Sequence, residues 1–300
     1  MAVAEPSTVV TVPLCDTGRG TISLVEETIC ARILDGVHFD FDYTFIRPEA
    51  KPIIREITDD INRDAERKVL IAGHTDRVGS NAYNETLSDG RATSVLGYIT
   101  NQPDIWMGLL RTMLSLNGGP RENRSGTNQS RDRWQTREIQ YMLNYMRSPT
   151  SGDRYYDGPI NNVFNADLQT ALDEFRADNG LPAGGVSGSP RWAGVDEDSW
   201  RKMFERYIAL DAVSVDQGRF LDPAHLACGE RFPRLETRPP GSESQDQRDA
   251  AARLEINRRV EFLLIPPSLV PDPLTCEAIY DNPNNPVVIC PTDPQPITVR

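Results

Sequence analysis

An acid and a base stand fifteen residues apart in the stretch Gly73 to Ala92, GHTDRVGSNAYNETLSDGRA: Asp76 and Arg91. The run before them, KVLIAG, is short, apolar and β-branched, which predicts a strand, and Asn84 to Ile99 reads as a helix. Asp76 then falls in the loop leaving the strand. Arg91 follows Leu87 and precedes Val95 at four-residue steps, so it lies in or beside the core-facing stripe, where a guanidinium requires a partner. That partner is either a bound ligand or Asp76 itself in an internal salt bridge. Two opposite charges at fixed separation are what recognition of a zwitterion requires.

Catalysis finds less support. The three histidines, His38, His74 and His225, show no HExxH or comparable ligand spacing, so no zinc site is expected. His74, at the strand end, reads as a packed, hydrogen-bonded residue rather than a base. Asp196 and Asp198 read as caps of a helix rather than an acid–base pair. No catalytic residue, metal or cofactor is expected, and the chain reads as a non-enzyme.

Upstream, GVHFDFDYTFIRPEAKPIIREI predicts a strand over the alternation HFDFD, then a helix whose stripe is Ala50, Ile53, Ile54, Ile57 and Ile61. Pro48 and Pro52 fall where a first helical turn accepts proline. Together with the Gly73–Ala92 motif, these segments resemble the OmpA-like peptidoglycan-binding domain. The resemblance implies an α+β fold, with elements in βαβαββ order and helices on a mixed sheet. The closing elements return far downstream, as LACGERFP (226–233) and INRRVEFLLIP (256–266). It further implies that Asp76 meets the ammonium of diaminopimelate in the wall peptide and that Arg91 meets its carboxylate. Asn84, which matches the family's Asn before the Leu-Ser pair, and Arg258, which opens the last strand near the same rim, are weaker candidates. Gly229 and Glu230 match the family's Gly-Glu turn.

Between these parts, three helical stripes enclose a small core: Ile139, Met142, Leu143 and Met146; Leu168, Ala171, Leu172 and Phe175, stopped by Gly180; and Trp200, Met203, Phe204 and Tyr207. YYDGPINNVFNADLQTALDEFRADNGL resembles the three-helix peptidoglycan-binding domain often appended to wall hydrolases. Asn162 and Asn165 stand where that family commonly has Gly, Arg176 where it has Gln, and the loop Pro182 to Val195 is longer. Asn tolerates the left-handed backbone. Phe164, Phe175 and Trp200 are assigned to packing rather than sugar stacking. The expected organisation is an N-terminal extension (1–33), a discontinuous OmpA-like domain (34–100 plus 222–266), an inserted segment (101–221) with its helical domain at about 131–210, and a Pro-rich C-terminal extension (267–300). The insert is expected to fold autonomously.

At 300 residues and 38% hydrophobic content the chain has enough material for two cores, and no run is long enough to span a membrane. A net charge of −12 without a basic cluster argues against nucleic acid. Five cysteines allow two bridges among Cys15, Cys30, Cys276 and Cys290, paired locally or across the ends, with Cys228 read as a small buried hydrophobe. The segments Thr8 to Ile33 and Ser268 to Arg300 are expected to pair as an appended sheet that docks a protein partner. No signal peptide is visible. The expected function is non-covalent tethering of a partner or structure to peptidoglycan in the periplasm or cell envelope. The alternative is a component of a phage-tail-like or contractile injection particle, assembled in the cytoplasm, that engages a target cell's wall. A peptidoglycan hydrolase ranks below both.

Overall fold

The computed structural model describes residues 27–35, 39, 43–77, 80–115, 134–182, 195–234 and 255–290. Chain order is β1 (Cys30–Asp35), α1 (Lys51–Arg63), β2 (Lys68–His74), α2 (Asn81–Ile99), α3 (Pro103–Ser115), α4 (Thr136–Tyr145), α5 (Ala166–Asp178), α6 (Glu197–Ala209), β3 (Phe220–Gly229), β4 (Arg259–Ile265), α7 (Cys276–Tyr280) and β5 (Val288–Ile289). The sheet order is β3-β2-β4-β1-β5. The β2/β3 and β1/β5 pairs are parallel, and β4 runs antiparallel to both β2 and β1. This is the mixed α+β architecture that the resemblance implied.

Helix α1 forms where the isoleucine stripe predicted it. Pro48 opens a 3-10 turn, Pro52 stands in the first α-helical turn, and Ala50, Ile54, Ile57 and Ile61 are buried. Each isoleucine so buried contributes ~1.5–3 kcal/mol of hydrophobic free energy. The expected HFDFD strand lies outside the described residues except for Phe39, and the first described strand comes earlier in the chain. It is CARILD, paired with β4 from Cys30↔Leu264 to Asp35↔Arg259, and HFDFD follows it in the chain. Cys30 and Leu34 face the core shared with α1, Ala31 faces the other layer, and Arg32 is buried in an ion pair with Asp60. Residues 30–33 therefore belong to the sheet, not to an extension.

Every second residue of β2 and β4 faces one layer. Val69, Ile71, Val260, Phe262 and Leu264 join the core shared with α1 and α2. Leu70, Ala72, Leu263 and Ile265 face the other way, onto Cys276, Ile279, Leu269, Val270 and Leu274. Residues 267–290 of the supposed C-terminal extension are thus the second layer of the fold. They do pair with the N-terminal part, through β5 on β1, but inside the main sheet rather than as an appended one.

The three predicted helical stripes are α4, α5 and α6, and Asp196 caps α6 by accepting from Ser199 N at 2.8 Å. Asn162 adopts the left-handed backbone (φ 61°), while Asn165 is the N-cap of α5. Helix α3 was not anticipated. Its Trp106, Met107 and Leu110 are buried, and Gly97 on α2 makes room, since a Cβ there would stand 2.8 Å from the Trp106 ring. The chain leaves the sheet unit at Ile99 and returns beside it, with Val215 N donating to Ile99 O at 2.7 Å. The apolar interior nevertheless runs without a break from Ile54 and Val260 through Phe45, Tyr98, Trp106 and Trp134 to Phe175 and Phe204.

A buried polar cluster fastens the same seam. Lys51 of α1, fully buried, donates to Asp211 Oδ2 at 2.7 Å and to Tyr207 O at 2.6 Å. Its ammonium lies 3.6, 4.2 and 5.3 Å from the ring centroids of Tyr207, Tyr145 and Tyr98. Asp211 also accepts from Arg55, Tyr98 and Tyr145. Burial opposes a charge on Asp211, but these donors hold its carboxyl below the usual range. Burial pulls Lys51 down to about 8, against the bond from Asp211.

Two tests follow from this seam. Joining Ile99 to Pro223 through a short Gly/Ser linker removes the walls around Phe45, Tyr98 and Lys51, so the product should be aggregated or molten. A cooperatively unfolding product would establish the autonomous insert instead. The second concerns pH. An unfolded lysine holds its proton to 10.5 and the folded Lys51 only to about 8, so this group adds stability as pH rises across that window. The urea-measured advantage of wild type over Lys51→Met should therefore grow through it, and a flat difference would contradict a desolvated Lys51.

Candidate ligand-binding site

Asp76, two residues past the end of β2, and Arg258, one residue before β4, meet at 3.2 Å (Asp76 Oδ2 to Arg258 Nη1). The antiparallel register explains the meeting, because His74 opposes Arg259 at the end of the ladder. Asp76 is 4% exposed and Arg91 is fully buried. Arg91 Nε donates to Tyr43 O at 3.1 Å, and its guanidinium lies 5.3 Å from the Phe39 ring centroid. Asn84 donates to Glu230, just past β3. The four predicted residues thus come from the end of β2, from α2 and from the approach to β4, with the turn after β3 beside them.

Helix α2 is placed by two close approaches. Ser80 caps it, accepting from Tyr83 N. A Cβ on Gly73 would collide with the backbone carbonyl of Ser88, so that position requires glycine, and one on Gly90 would stand 2.7 Å from Thr44 Cγ2. Ser88 Oγ accepts from Gly229 N at 3.0 Å, and Thr75 N donates to Gly229 O at 2.9 Å. Gly229 itself has φ +56°, the conformation of the predicted Gly-Glu turn. Thr75 Oγ1 and Asn84 Oδ1 are buried and have no hydrogen-bond partner among the described residues. Buried polar atoms are satisfied as a rule, so these two mark unmet bonding capacity next to Asp76.

The inserted segment reaches the same place. Trp134 Nε1 donates to Thr44 Oγ1 at 3.2 Å, Arg137 of α4 lies 3.8 Å over the Tyr43 ring, and Tyr207 donates to Ile46 O at 3.0 Å. The segment 43–46, whose Tyr43 carbonyl holds Arg91, is therefore clasped between α2 and the helices of the insert.

Behind the site lies a second polar group. His74 is fully buried, with Nε2 at 3.0 Å from the Tyr280 hydroxyl, and burial followed by nearby Arg259 pulls it down to about 3. It is a neutral packed residue, as the sequence suggested. Tyr280 donates to Glu261 Oε2 at 2.8 Å, and Arg259 pairs with Glu261. Cys228 is buried, as expected, but does not stand alone. It is bonded to Cys276 (Cα–Cα 5.7 Å), while Cys30 is bonded to Cys290 across the ends (Cα–Cα 4.8 Å). Residues 276–280 lie on the covered sheet face, where Cys228 points, and that packing brings the two sulfurs together. Cys15 and His38 lie outside the described residues. Of these contacts, the Gly-Glu turn was readable in sequence. Thr75, Tyr43, Tyr280 and the Arg259–Glu261 pair carried no local signal. Among the described residues no group of three or more His, Cys, Asp or Glu side chains is placed to hold a metal, and no helix is long and apolar enough to cross a membrane.

A two-layered mixed sheet with an acid at the end of β2 and a guanidinium inside α2 defines an α+β module that presents charged groups at one end of its sheet. Residues 38–129 match the family model described as "OmpA family", so the chain carries an OmpA-like domain. Outer membrane protein P5 of Haemophilus influenzae is 39% identical over 62 residues, 21% of this chain and 17% of that protein. Outer membrane porin F of Pseudomonas aeruginosa is 32% identical over 71 residues (24% and 20%), and outer membrane protein A of Bordetella avium 31% over 64 (21% and 33%). The similarity thus spans a third or less of each relative. The matched region ends ahead of β3 and β4, which complete the same sheet after the insert.

The Gly73–Ser88 contact can be tested alone. Gly73→Ala should cost ~1–3 kcal/mol in urea unfolding, since the backbone of α2 must move to admit the methyl group. Unchanged stability would mean that helix and strand separate freely there.

Proposed function

We propose that this chain is a non-catalytic peptidoglycan-binding protein of the cell envelope that recognises the diaminopimelate of the wall peptide. The observation that carries the reading is the buried Asp76–Arg258 pair, with Arg91 and Asn84 on the adjoining helix, in a segment matching the OmpA family. Asp76 takes the ligand ammonium, and Arg91 and Arg258 take the carboxylate, each through charge-assisted hydrogen bonds. Asn84 and Thr75 offer the buried acceptors noted above. The helical segment, on its own resemblance, provides a second contact with the wall. The described chemistry supports binding: His74 is held neutral by burial, and His225 bonds to Asp89 and Thr93.

Two disulfides favour a chain that matures in an oxidising compartment over one assembled in a reducing cytosol into an injected particle. An acidic protein gains no general attraction to anionic envelope polymers, so a stereospecific pocket is the better basis for wall affinity.

Asp76→Ala, Arg91→Ala and Arg258→Ala should each weaken pull-down by insoluble peptidoglycan, by ~1.5–3 kcal/mol for a lost hydrogen bond to a charged group. Retention equal to wild type by all three folded variants would rule out this site.

A further inference from the structure

We propose that the C-terminal segment 267–290 positions the ligand site, with α7 fixing from behind the strand ends that carry it. The inference rests on the binding function proposed above. Helix α7 reaches each strand end by a separate bond. At β2 it is the Tyr280 hydroxyl against His74 Nε2, 3.0 Å, two residues before Asp76. At β4 the same hydroxyl donates to Glu261, which also holds Arg259, the neighbour of Arg258. At β3 the Cys276–Cys228 disulfide stands two residues before Glu230, the partner of Asn84, and Arg231 donates to Glu277 at 2.7 Å.

The hydroxyl has one proton, and it goes to the Glu261 carboxylate. His74 must then supply the proton of its own bond, from Nε2–H to the tyrosine oxygen, which a neutral imidazole can do. Tyr280 thereby couples β2 and β4 through a single oxygen atom on the face opposite the ligand. Its ring is held edge-on to His74 at 5.2 Å and stacked on Phe232 at 5.1 Å. Asp76 lies two residues from His74, Arg258 adjoins Arg259, which Glu261 holds, and Asn84 is bonded to Glu230, which adjoins Arg231. Outer groups of this kind set the orientation of the residues that touch a ligand.

The test compares binding of a soluble diaminopimelate-containing muropeptide, by calorimetry, at a temperature where near-ultraviolet circular dichroism shows each protein folded. Tyr280→Phe keeps the ring and the disulfide but removes the shared hydroxyl. Cys228→Ala with Cys276→Ala removes the bridge behind β3, and Cys30→Ala with Cys290→Ala removes the bridge at the other edge of the sheet. Tyr280→Phe and the 228/276 variant should each bind about tenfold more weakly, the lower end of what loss of an outer partner costs a site. The 30/290 variant should melt lower yet bind as wild type does. If the 228/276 variant does not fold, Tyr280→Phe decides alone. Wild-type affinity in Tyr280→Phe, or an equal loss in the 30/290 variant, would overturn the positioning role while Asp76→Ala still weakened binding. Failure of the wild type to bind the muropeptide would instead overturn the ligand reading, and the positioning role with it.

Discussion

The Lys51–Asp211 contact decides how this molecule is organised. A buried ammonium is tolerated only with a partner, and here the partner comes from the far side of the insert, 160 residues along the chain. Tyr98, Tyr145 and Tyr207 close over the charge from three different helices and thereby make those helices interdependent. Removing Asp211 alone would strand a charge in the interior, at a typical cost of ~3–5 kcal/mol. The contact at Ile99 and Val215 meets the geometric condition for an inserted domain, but the charge and the aromatic rings around it give host and insert a common interior. A single fold of discontinuous parts describes the packing better than two modules joined by linkers.

The second organising constraint is that the sheet is apolar on both faces. Strands β2 and β4 are buried almost along their whole length, so a layer of helices on one side leaves Leu70, Leu263 and Ile265 uncovered. Residues 267–290 supply the missing layer, and two disulfides hold them to the first and third strands. Bridges of this kind commonly contribute ~2–4 kcal/mol. The segment's proline content suits it to this use, since a chain laid across a sheet without joining it for most of its length needs few backbone donors.

Much of this was legible in the sequence, for identifiable reasons. Periodic stripes revealed α1, α4, α5 and α6, and the loop–helix motif revealed the placement of Asp76 and Arg91, because in each case the signal lies within one element. Three features escaped. Strand β1 was overlooked because CARIL is short and Arg32 interrupts its apolar residues without producing an alternation. Helix α3 was overlooked because its Trp106, Met107 and Leu110 form a narrow stripe beside a polar, glycine-rich stretch. The pairing of Cys228 with Cys276 and the Tyr280 bonds depend on what the C-terminal segment packs against, and nothing local records that. Asp76, Asn84, Arg91 and Arg258 could be singled out in the sequence one by one. Their meeting, in which Asp76 finds Arg258 across 182 positions, is a property of strand register.

On the proposed reading, that meeting bears on how a buried charged pair could accept a ligand. A carboxylate at this depth needs charged or hydrogen-bonding partners, and Arg258 is one of them. A ligand with a single charge would, on that reading, engage one member of the Asp76–Arg258 pair and cost the other that contact. A zwitterion can trade the internal pair for two external ones, its ammonium on the aspartate and its carboxylate on an arginine, and conserve the number of compensated charges. On the proposed reading, selectivity therefore comes less from attraction than from the penalty imposed on ligands that bring only half of the required charge. The burial that favours pairing of Asp76 with Arg258 is, on this reading, also what would make the pair discriminating in binding.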